Sequence, residues 1–460
     1  MPRRLDHALR VVAVVLAASL VVAAWHDVSK AWDTWAYHLP FAARMFGIVG
    51  PDAFVFSNDN AQRFSGFPLF AEMLQGLLWK ITGRPECATF VALFSLFGLV
   101  LYLKRAFGIA PHVALIALLG IPLVQIHATQ CYVDLPANVG LTILLLLVYR
   151  AWADPTAPSL KLLLGAAACA IATANSKFQL VPVVLLASAA LFVRTFRDKK
   201  SLVVFAVALP LVFATPIKNF IVHGNPVWPV ELGFGLPYYE TRYESAPYWL
   251  EHTPRPVRFL LSIIEWNVDR WSVDQWTPPE HPGKRMGGFG GAYVIAGLVG
   301  LGLAAWKKRT RETKVALALF GGATVVVSFL PQSHELRYYL FWMLLLVALN
   351  LVVWFRDRPV PVTVVAIAAF AFVVWKTNGS WLYMSGDSFD QLVAARVDAK
   401  VIDSAKMGDR ICVADDPWTF LYAAPFHLAK GKRFTVQEAK RREDCSPSAL
   451  AGSPSPERAP

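Results

Sequence analysis

The sequence predicts an all-α polytopic membrane protein of about eleven transmembrane helices, with interfacial helices on the outer face and a small α/β-like C-terminal tail on the outer side. Three observations predict this fold class. Of the 460 residues, 56% are hydrophobic and only 17% are charged, which is more apolar surface than a soluble domain can bury. The apolar residues form continuous runs close to the roughly 20 residues that cross a bilayer, and they do not alternate as barrel strands do. Basic residues concentrate in every second connection between the runs.

The apolar runs and the basic loops together predict the topology. Basic loops such as RTFRDKK (194–200) and KKRTRETK (307–314) are cytoplasmic by the positive-inside rule, which puts the N-terminus inside and the tail outside. The first run could be a cleaved signal peptide, but its length favours a retained anchor. The net charge of +12 is therefore mainly a topology signal, and no nucleic-acid partner is expected. The predicted spans lie near 9–26, 87–103, 109–126, 137–152, 161–175, 178–193, 201–217, 289–306, 315–330, 338–355 and 361–376.

This topology divides the chain into a membrane domain (1–377), with outer loops at 27–86 and 218–288, an outer soluble tail (378–445) and a disordered end (446–460). In the first loop, FSGFPLFAEMLQGLLWKITG has apolar residues at helical spacing, which is typical of an interfacial helix. Cys412 and Cys445 both fall in the tail. An oxidising compartment would permit a disulfide between them, but their spacing does not decide whether they pair.

Ionisable residues are nearly absent from the span interiors, where His112 is the main exception, and they collect instead at the outer ends. A proton-coupled transporter usually keeps such groups at mid-membrane depth. No nucleotide-binding glycine pattern and no zinc-ligand spacing occurs. The pattern therefore indicates a site that faces outward at the membrane surface, although any single polar residue at a loop end could simply be solvated.

Four outer-loop motifs follow one another along the chain: DTWAYHLP (33–40), HATQCYVDLPANVGL (127–141), PIKNFIVHGNPVWP (216–229) and QSHELRYYLFWMLLL (332–346). Together they resemble the GT-C superfamily of integral-membrane glycosyltransferases, in the branch of protein mannosyltransferases and the aminoarabinose transferases that modify lipid A. The resemblance covers residues 1 to about 376. The tail resembles no domain that we can name.

The resemblance implies inverting sugar transfer from a polyprenyl-phosphate donor to a lipid, glycan or protein acceptor, at the periplasmic face of a bacterial inner membrane. Asp33 would be the base, and Asp134 would assist through the acceptor or through a divalent metal, Mg²⁺ or Mn²⁺. Many family members carry two adjacent acids in the first loop, whereas Thr34 follows Asp33 here. The other implied site residues are Arg63, Lys177, Lys218 and Arg337 for the donor phosphate, and Tyr37, His38, Asn225, Glu335 and Tyr338 for substrate.

These residue types suit the chemistry independently of the resemblance. A phosphate departs as a stable anion, so one base for the acceptor hydroxyl and cations for the phosphate are enough, without the acid that a glycosidase needs. Trp32 and Trp35 would partly desolvate Asp33 and so raise its basicity.

Simpler interpretations exist for three of the acids and for the whole chain. Asp33 could cap the helix that follows, Asp134 could merely begin the fourth span, and Glu335 could pair with Arg337. For the whole chain, the alternatives are a transporter or flippase of a lipid-linked substrate, and a polymerase or ligase of lipid-linked glycans. A transporter would have a midplane cavity, whereas a transferase would gather the outer acids at one interfacial site.

Overall fold

The computed structural model describes residues 2–29, 31–241, 246–267, 288–377, 387–414, 416–430, 433–445 and 450–452. The fold is mainly helical, with one small sheet. The helices are α1 (Arg3–His26), α2 (Leu39–Met45), α3 (Asn58–Gly66), α4 (Phe70–Thr82), α5 (Phe90–Phe107), α6 (Pro111–Leu119), α7 (Pro122–His127), α8 (Asp134–Ala153), α9 (Leu160–Ala174), α10 (Val181–Thr195), α11 (Lys199–Val212), α12 (Ala214–His223), α13 (Arg255–Ile263), α14 (Gly291–Lys308), α15 (Arg311–Phe329), α16 (Leu340–Trp354), α17 (Pro359–Thr377), α18 (Phe389–Arg396) and α19 (Ala399–Ser404). The strands are β1 (Phe54–Val55), β2 (Arg410–Ala414), β3 (Thr435–Ala439) and β4 (Leu450–Gly452).

An apolar helix lies at each of the eleven predicted span positions. By length and composition, six helical stretches within the described residues can cross a membrane. The pair α11–α12, bent by 45°, makes a seventh when it is counted as one span. The chain is therefore an integral membrane protein, as predicted, and the number of eleven crossings stays a prediction. The predicted first-loop helix is confirmed as α4, while its position in the membrane interface stays a prediction.

Proline explains the two broken helices, because it donates no backbone hydrogen bond and clashes with the preceding turn. Pro122 opens α7 after a break at 120–121, and the Leu123 N–H there bonds to the carbonyl of Gly288 from the segment before α14, 3.1 Å away. Pro210 and Pro216 lie on either side of the α11–α12 bend. A broken helix at membrane depth is tolerated where its freed backbone groups find partners in this way.

The helices at the centre of the bundle are α8 and α16. Every residue of α16 from Leu340 to Leu349 is buried, and most of α8 is buried as well. A helix that is apolar all round, as α16 is, belongs inside a bundle. The peripheral helices instead expose aliphatic side chains, such as Val14 on α1 and Ile221 on α12, which suits contact with lipid.

The C-terminal tail forms a parallel sheet in the order β1-β3-β2-β4, so the predicted α/β character is observed. Its first strand comes from the first outer loop, because Phe54 pairs with Val436 of β3. Residues 450–452, within the stretch predicted to be disordered, form β4 beside β2, and the rest of 446–460 lies outside the described residues. One apolar cluster fills the space beneath the sheet, and it includes Trp35, Phe54, Ile411, Phe420 and Val436.

Cys412 and Cys445 form a disulfide that closes a loop with a sequence separation of 33, and their Cα atoms are 5.8 Å apart. The bond joins β2 to the chain beyond β3. The free cysteines in the described part of the chain are Cys87, Cys131 and Cys169.

We expect reduction of this disulfide to destabilise the tail by about 2–4 kcal/mol, because the cross-link restricts the unfolded chain. Hydrogen exchange at the β2 amides, with and without reductant, measures the loss directly. In the double variant Cys412→Ser/Cys445→Ser, reductant should change nothing further. Equal protection of β2 before and after reduction of the wild-type protein would contradict the prediction.

Candidate active site

Asp33 lies in the first turn of a helical segment that continues as a π-helical turn over Thr34–His38. Its carboxylate makes no capping bond to the N–H groups of that turn. Arg337 Nη1 instead donates a hydrogen bond to Asp33 Oδ2 over 2.9 Å, and both side chains are largely buried. The acid that the sequence places after the first span therefore pairs with a cation at the start of the tenth predicted span.

Arg337 lies in an aromatic setting. Its Nη2 donates to the Tyr338 hydroxyl at 3.3 Å, and its guanidinium lies 5.4 Å from the ring centre of Tyr132 and 5.0 Å from that of Tyr338. The Arg337 Nε is buried and has no hydrogen-bond partner within the described part of the chain. Glu335, which could have paired with Arg337, has a carboxylate oxygen 3.7 Å from His334 Nε2 instead.

Asp134 and Lys177 form a second ion pair, between Lys177 Nζ and Asp134 Oδ1, and both side chains are less than a tenth exposed. Asp134 is the first residue of α8, and Lys177 comes just before the short turn that leads into α10. The Lys177 ammonium also lies 4.1 Å from the ring centre of Tyr338. Tyr338 therefore touches the cations of both pairs and connects them.

Asn138, which we did not anticipate, fixes the helices that carry these pairs. Its Nδ2 donates to the carbonyls of Asp134, at 2.7 Å, and of Arg337, at 3.3 Å. Its Oδ1 accepts the Phe341 N–H at 2.9 Å. One buried amide thus links the N-terminal end of α8 to the turn that leads into α16. A polar residue one helical turn after Asp134, inside an apolar run, was the available signal.

Tyr37 and His38 lie beside the first pair. Burial and the charge of Asp33 raise the pKa of the Tyr37 hydroxyl, so this group stays protonated and can donate a hydrogen bond. His38 Nδ1 is 2.8 Å from Oε1 of Glu72, and both side chains are buried. Glu72, which sequence reasoning missed, lies on the buried face of α4 with Gln75 and Trp79.

His127 is also buried, and its ring centre is 4.9 Å from that of Tyr132. Among the described residues, His127 Nδ1 has no hydrogen-bond partner.

Arg63 and Lys218 form a separate flanking group. Arg63 Nε donates to Glu240 Oε1 over 2.6 Å, and Arg63 is close enough to Tyr37 for a direct electrostatic interaction. Lys218 Nζ donates to the Ser65 carbonyl, which places it beside the C-terminal turn of α3. The structure therefore divides the four predicted phosphate ligands into two pairs, with Arg337 and Lys177 next to the acids and the other two further out.

Asn225 shapes its own loop. Both N–H donors of its side-chain amide bond to backbone carbonyls, those of Val230 at 2.9 Å and Pro237 at 2.8 Å, and its Oδ1 accepts the Val227 N–H at 2.9 Å. We predicted that this residue binds substrate. Here its amide donors are already used within the protein.

The donor set suits a metal poorly. No group of three His, Cys, Asp or Glu side chains within the described residues lies close enough together to hold a metal ion. Asp33 and Asp134 each already face a fixed cation, Arg337 and Lys177, and these four charges balance. A divalent ion bound at either acid would therefore lie beside a cation that already neutralises the carboxylate.

Comparisons with known proteins identify the fold. No protein-family model matches the chain, and no curated protein matches its sequence. Two solved structures of ArnT from Cupriavidus metallidurans do match, each at 12% sequence identity. The structure bound to undecaprenyl phosphate has a TM-score of 0.54 over 95% of this chain and 90% of ArnT. The apo structure has a TM-score of 0.53 over 93% and 88%. The chain therefore shares the fold of these two ArnT structures over most of its length, which agrees with the fold that its four outer-loop motifs predict.

Proposed function

We propose that this protein is an inverting glycosyltransferase that moves a sugar from a polyprenyl-phosphate donor to an acceptor hydroxyl at the outer face of the membrane. The observation that carries the proposal is the Asp33–Arg337 pair beside the Asp134–Lys177 pair. These residues put a base and two cations together where the membrane helices end. The likeness to ArnT, one structure of which holds undecaprenyl phosphate, supports a lipid-linked donor. The acceptor could be a lipid, a glycan or a protein.

In the proposed reaction the Asp33 carboxylate takes the proton of the acceptor hydroxyl as its oxygen attacks the anomeric carbon from the side opposite the phosphate. The bond between that carbon and the phosphate oxygen breaks, and its electron pair leaves with the polyprenyl phosphate. Arg337 and Lys177 neutralise the charge that develops on the phosphate. The Nε of Arg337 supports this role, because it is a buried donor without an acceptor among the residues that the structure describes.

An apolar groove of about 520 Å³ supports a lipid donor. It follows the bend between α11 and α12, and Ile217 in its wall precedes Lys218 directly in sequence. We infer that the polyprenyl chain lies in this groove while its phosphate passes Lys218 and Arg63 on the way to Arg337. The groove is lined by Leu209, Pro210, Phe213, Pro216, Ile217, Phe220, Ile221 and Pro226.

If Arg63 and Lys218 guide the donor phosphate, Arg63→Ala and Lys218→Ala should each raise the KM for the donor about ten- to a hundredfold. A hydrogen bond to a charged group contributes roughly 1.5–3 kcal/mol. Steady-state kinetics at varied donor concentration measure the effect. The matched control is Lys80→Ala, which removes an exposed cation on α4. Unchanged donor KM values in both variants would place the phosphate path elsewhere.

We propose that transfer needs no divalent metal, since Arg337 and Lys177 already supply positive charge beside both acids. Dialysis against a chelator should leave the transfer rate unchanged, and added Mg²⁺ or Mn²⁺ should not restore an Asp134→Asn variant. Rescue of that variant by either ion would instead make Asp134 a metal ligand.

The proposed topology has eleven spans and puts the site and tail on the periplasmic side of a bacterial inner membrane. A membrane-impermeant thiol reagent should label Met407→Cys in intact cells, because that side chain is 76% exposed. Lys314→Cys, at an exposed position in the first turn of α15 next to a basic loop, should be labelled only after permeabilisation. The reverse pattern would invert the orientation of the site.

Asp33 and Asp134 lie in one outer cluster, which supports a transferase over a transporter. A polymerase or ligase of lipid-linked glycans would differ from this transferase in its product. Lipid and glycan mass spectrometry of cells without the protein tests all three. We expect a polyprenyl-phosphate sugar to accumulate and one sugar to be lost from the acceptor, both restored by wild-type protein and not by Asp33→Asn. Loss of a polymer, or restoration by the variant, would contradict the proposal.

A further inference from the structure

A second groove, of about 420 Å³, lies on the membrane face between α14 and α17, with α16 as its floor. It runs along α16 from Val347 to Trp354, about two helical turns. None of its lining residues belongs to the candidate active site. Its walls are mostly small or aliphatic, as in Ala296, Gly297, Gly300, Val362, Val365 and Ala366.

Hydrogen bonds between α14 and α16 hold this groove in shape. Asn350 Nδ2 donates to the Gly297 carbonyl at 2.9 Å, and Trp354 Nε1 donates to the Gly300 carbonyl at 3.0 Å. A Cβ on Gly300 would lie 2.4 Å from Asn350 Oδ1, so the Asn350 amide that bonds to Gly297 would have to shift. On the other side α17 packs against α6 and α16. The space between α14 and α17 is thus built into the fold.

One end of the groove is basic. Arg358 is the only charged residue that lines it, and its guanidinium is exposed and makes no ion pair within the described part of the chain. The nearby acid, Asp357, is already paired with Lys308, at 2.5 Å, and Lys308 lies 4.7 Å from the ring centre of Trp354. Arg356 is also exposed, but it does not line the groove. An apolar trough that ends in an unpaired guanidinium matches an acyl chain with an anionic headgroup, because basic pockets between membrane helices attract anionic lipids.

We propose that this groove is a binding site for an anionic phospholipid, with one acyl chain along α16 and the phosphate at Arg358. The basic loops predict that this end faces the cytoplasm, so the lipid belongs to the leaflet opposite the candidate active site. The charge at the groove end is the reason to prefer an anionic lipid over a neutral lipid or an apolar helix. The site depends on neither sugar transfer nor the identity of the donor.

The test is thermal unfolding of the full-length protein in a neutral detergent, titrated with phosphatidylglycerol or phosphatidylcholine in mixed micelles. We expect phosphatidylglycerol to raise Tm saturably and phosphatidylcholine to have no such effect. Arg358→Gln should weaken the apparent affinity about ten- to a hundredfold, as expected for a lost charged hydrogen bond. Arg356→Gln, which removes the same charge two residues away, should bind as wild type does. Ala296→Phe should fill the groove and abolish the shift, whereas Ala206→Phe, on the exposed face of α11, should not.

Each alternative has its own result. Equal stabilisation by both lipids, or an equal response of the Arg358→Gln and Arg356→Gln variants, would overturn the site. Stabilisation by glycerol 3-phosphate alone would indicate a phosphate site without a lipid chain. A change of oligomeric size in Ala296→Phe, seen by light scattering, would make the groove a contact between copies. Should Arg358→Gln not fold, Arg358→Lys must still bind phosphatidylglycerol more tightly than phosphatidylcholine for the proposal to stand.

Discussion

The Asp33→Asn variant should lose sugar transfer by about a hundred- to ten-thousandfold, the usual contribution of a general base, while its Tm stays close to that of the wild type. Asparagine has the shape of aspartate, and its Oδ1 can still accept the bond from Arg337 Nη1. It cannot take a proton from the acceptor. Single-turnover rates at saturating donor, with Tm measured on the same samples, separate this loss of chemistry from a loss of folding.

Two variants give that measurement its reference points. Asp33→Glu keeps a base but moves it by one methylene, so we expect a large partial loss from misplacement. Asp52→Asn removes an exposed acid from the same outer loop and should be silent. Full turnover by Asp33→Asn would end the catalytic role of this residue, and would leave its ion pair with Arg337 as a purely structural contact.

The Lys177→Met variant should destabilise the protein by about 3–5 kcal/mol, because it leaves the buried Asp134 carboxylate without its cation. The double variant Asp134→Leu/Lys177→Met should recover much of that loss, since an apolar pair of similar volume needs no desolvated charge. Denaturant or thermal unfolding in detergent measures both. Sugar transfer is not the readout, so the result does not depend on a catalytic role for Asp134.

An exposed ion pair is the matched control. Lys440→Met breaks a bond of 2.9 Å to Asp59, but Lys440 is 71% exposed, so the cost should stay below about 1 kcal/mol. If Lys177→Met costs no more than Lys440→Met, then Asp134 is not held as a buried ion.

Much of the helical framework could be predicted because continuous apolar runs have a single solution in lipid, and a helix lies at each predicted span. The breaks at Pro122 and Pro216 follow from proline chemistry. A prediction from hydropathy alone misses them, because it treats each apolar run as one continuous helix. β1 could not be found, because a two-residue strand is too short to show an alternating pattern. β1 and β3 come together only in the folded protein, through tertiary contact, so the local sequence of either strand does not predict their pairing.

The site was predictable in its residue types and not in its pairings. Charged residues at the predicted outer helix ends must lie close together if those ends pack against one another. Asp33 and Arg337 are indeed in contact, although 304 positions of sequence separate them. Which acid faces which cation depends on how the helices rotate against one another, so the Asp134–Lys177 pair could not be read from spacing. We did not predict a site role for Glu72, because a single acid on an amphipathic helix is expected to face solvent. Only the structure shows that its face of α4 is buried.

The strand shared between the first outer loop and the tail has a consequence for biosynthesis. The contact between Ser57 and Glu438, next to the β1–β3 pairing, joins residues 381 positions apart, so β1 can pair only after the ribosome has added β3, far along the chain. The rings of Phe389 and Phe420, which cover Trp35 two residues from Asp33, also belong to the tail. A nascent chain that stops before α18 can insert all its apolar helices and still leave the Asp33 loop without this cover. Synthesis of the tail thus acts as a quality check, because only a chain that includes it completes the loop that carries the proposed base.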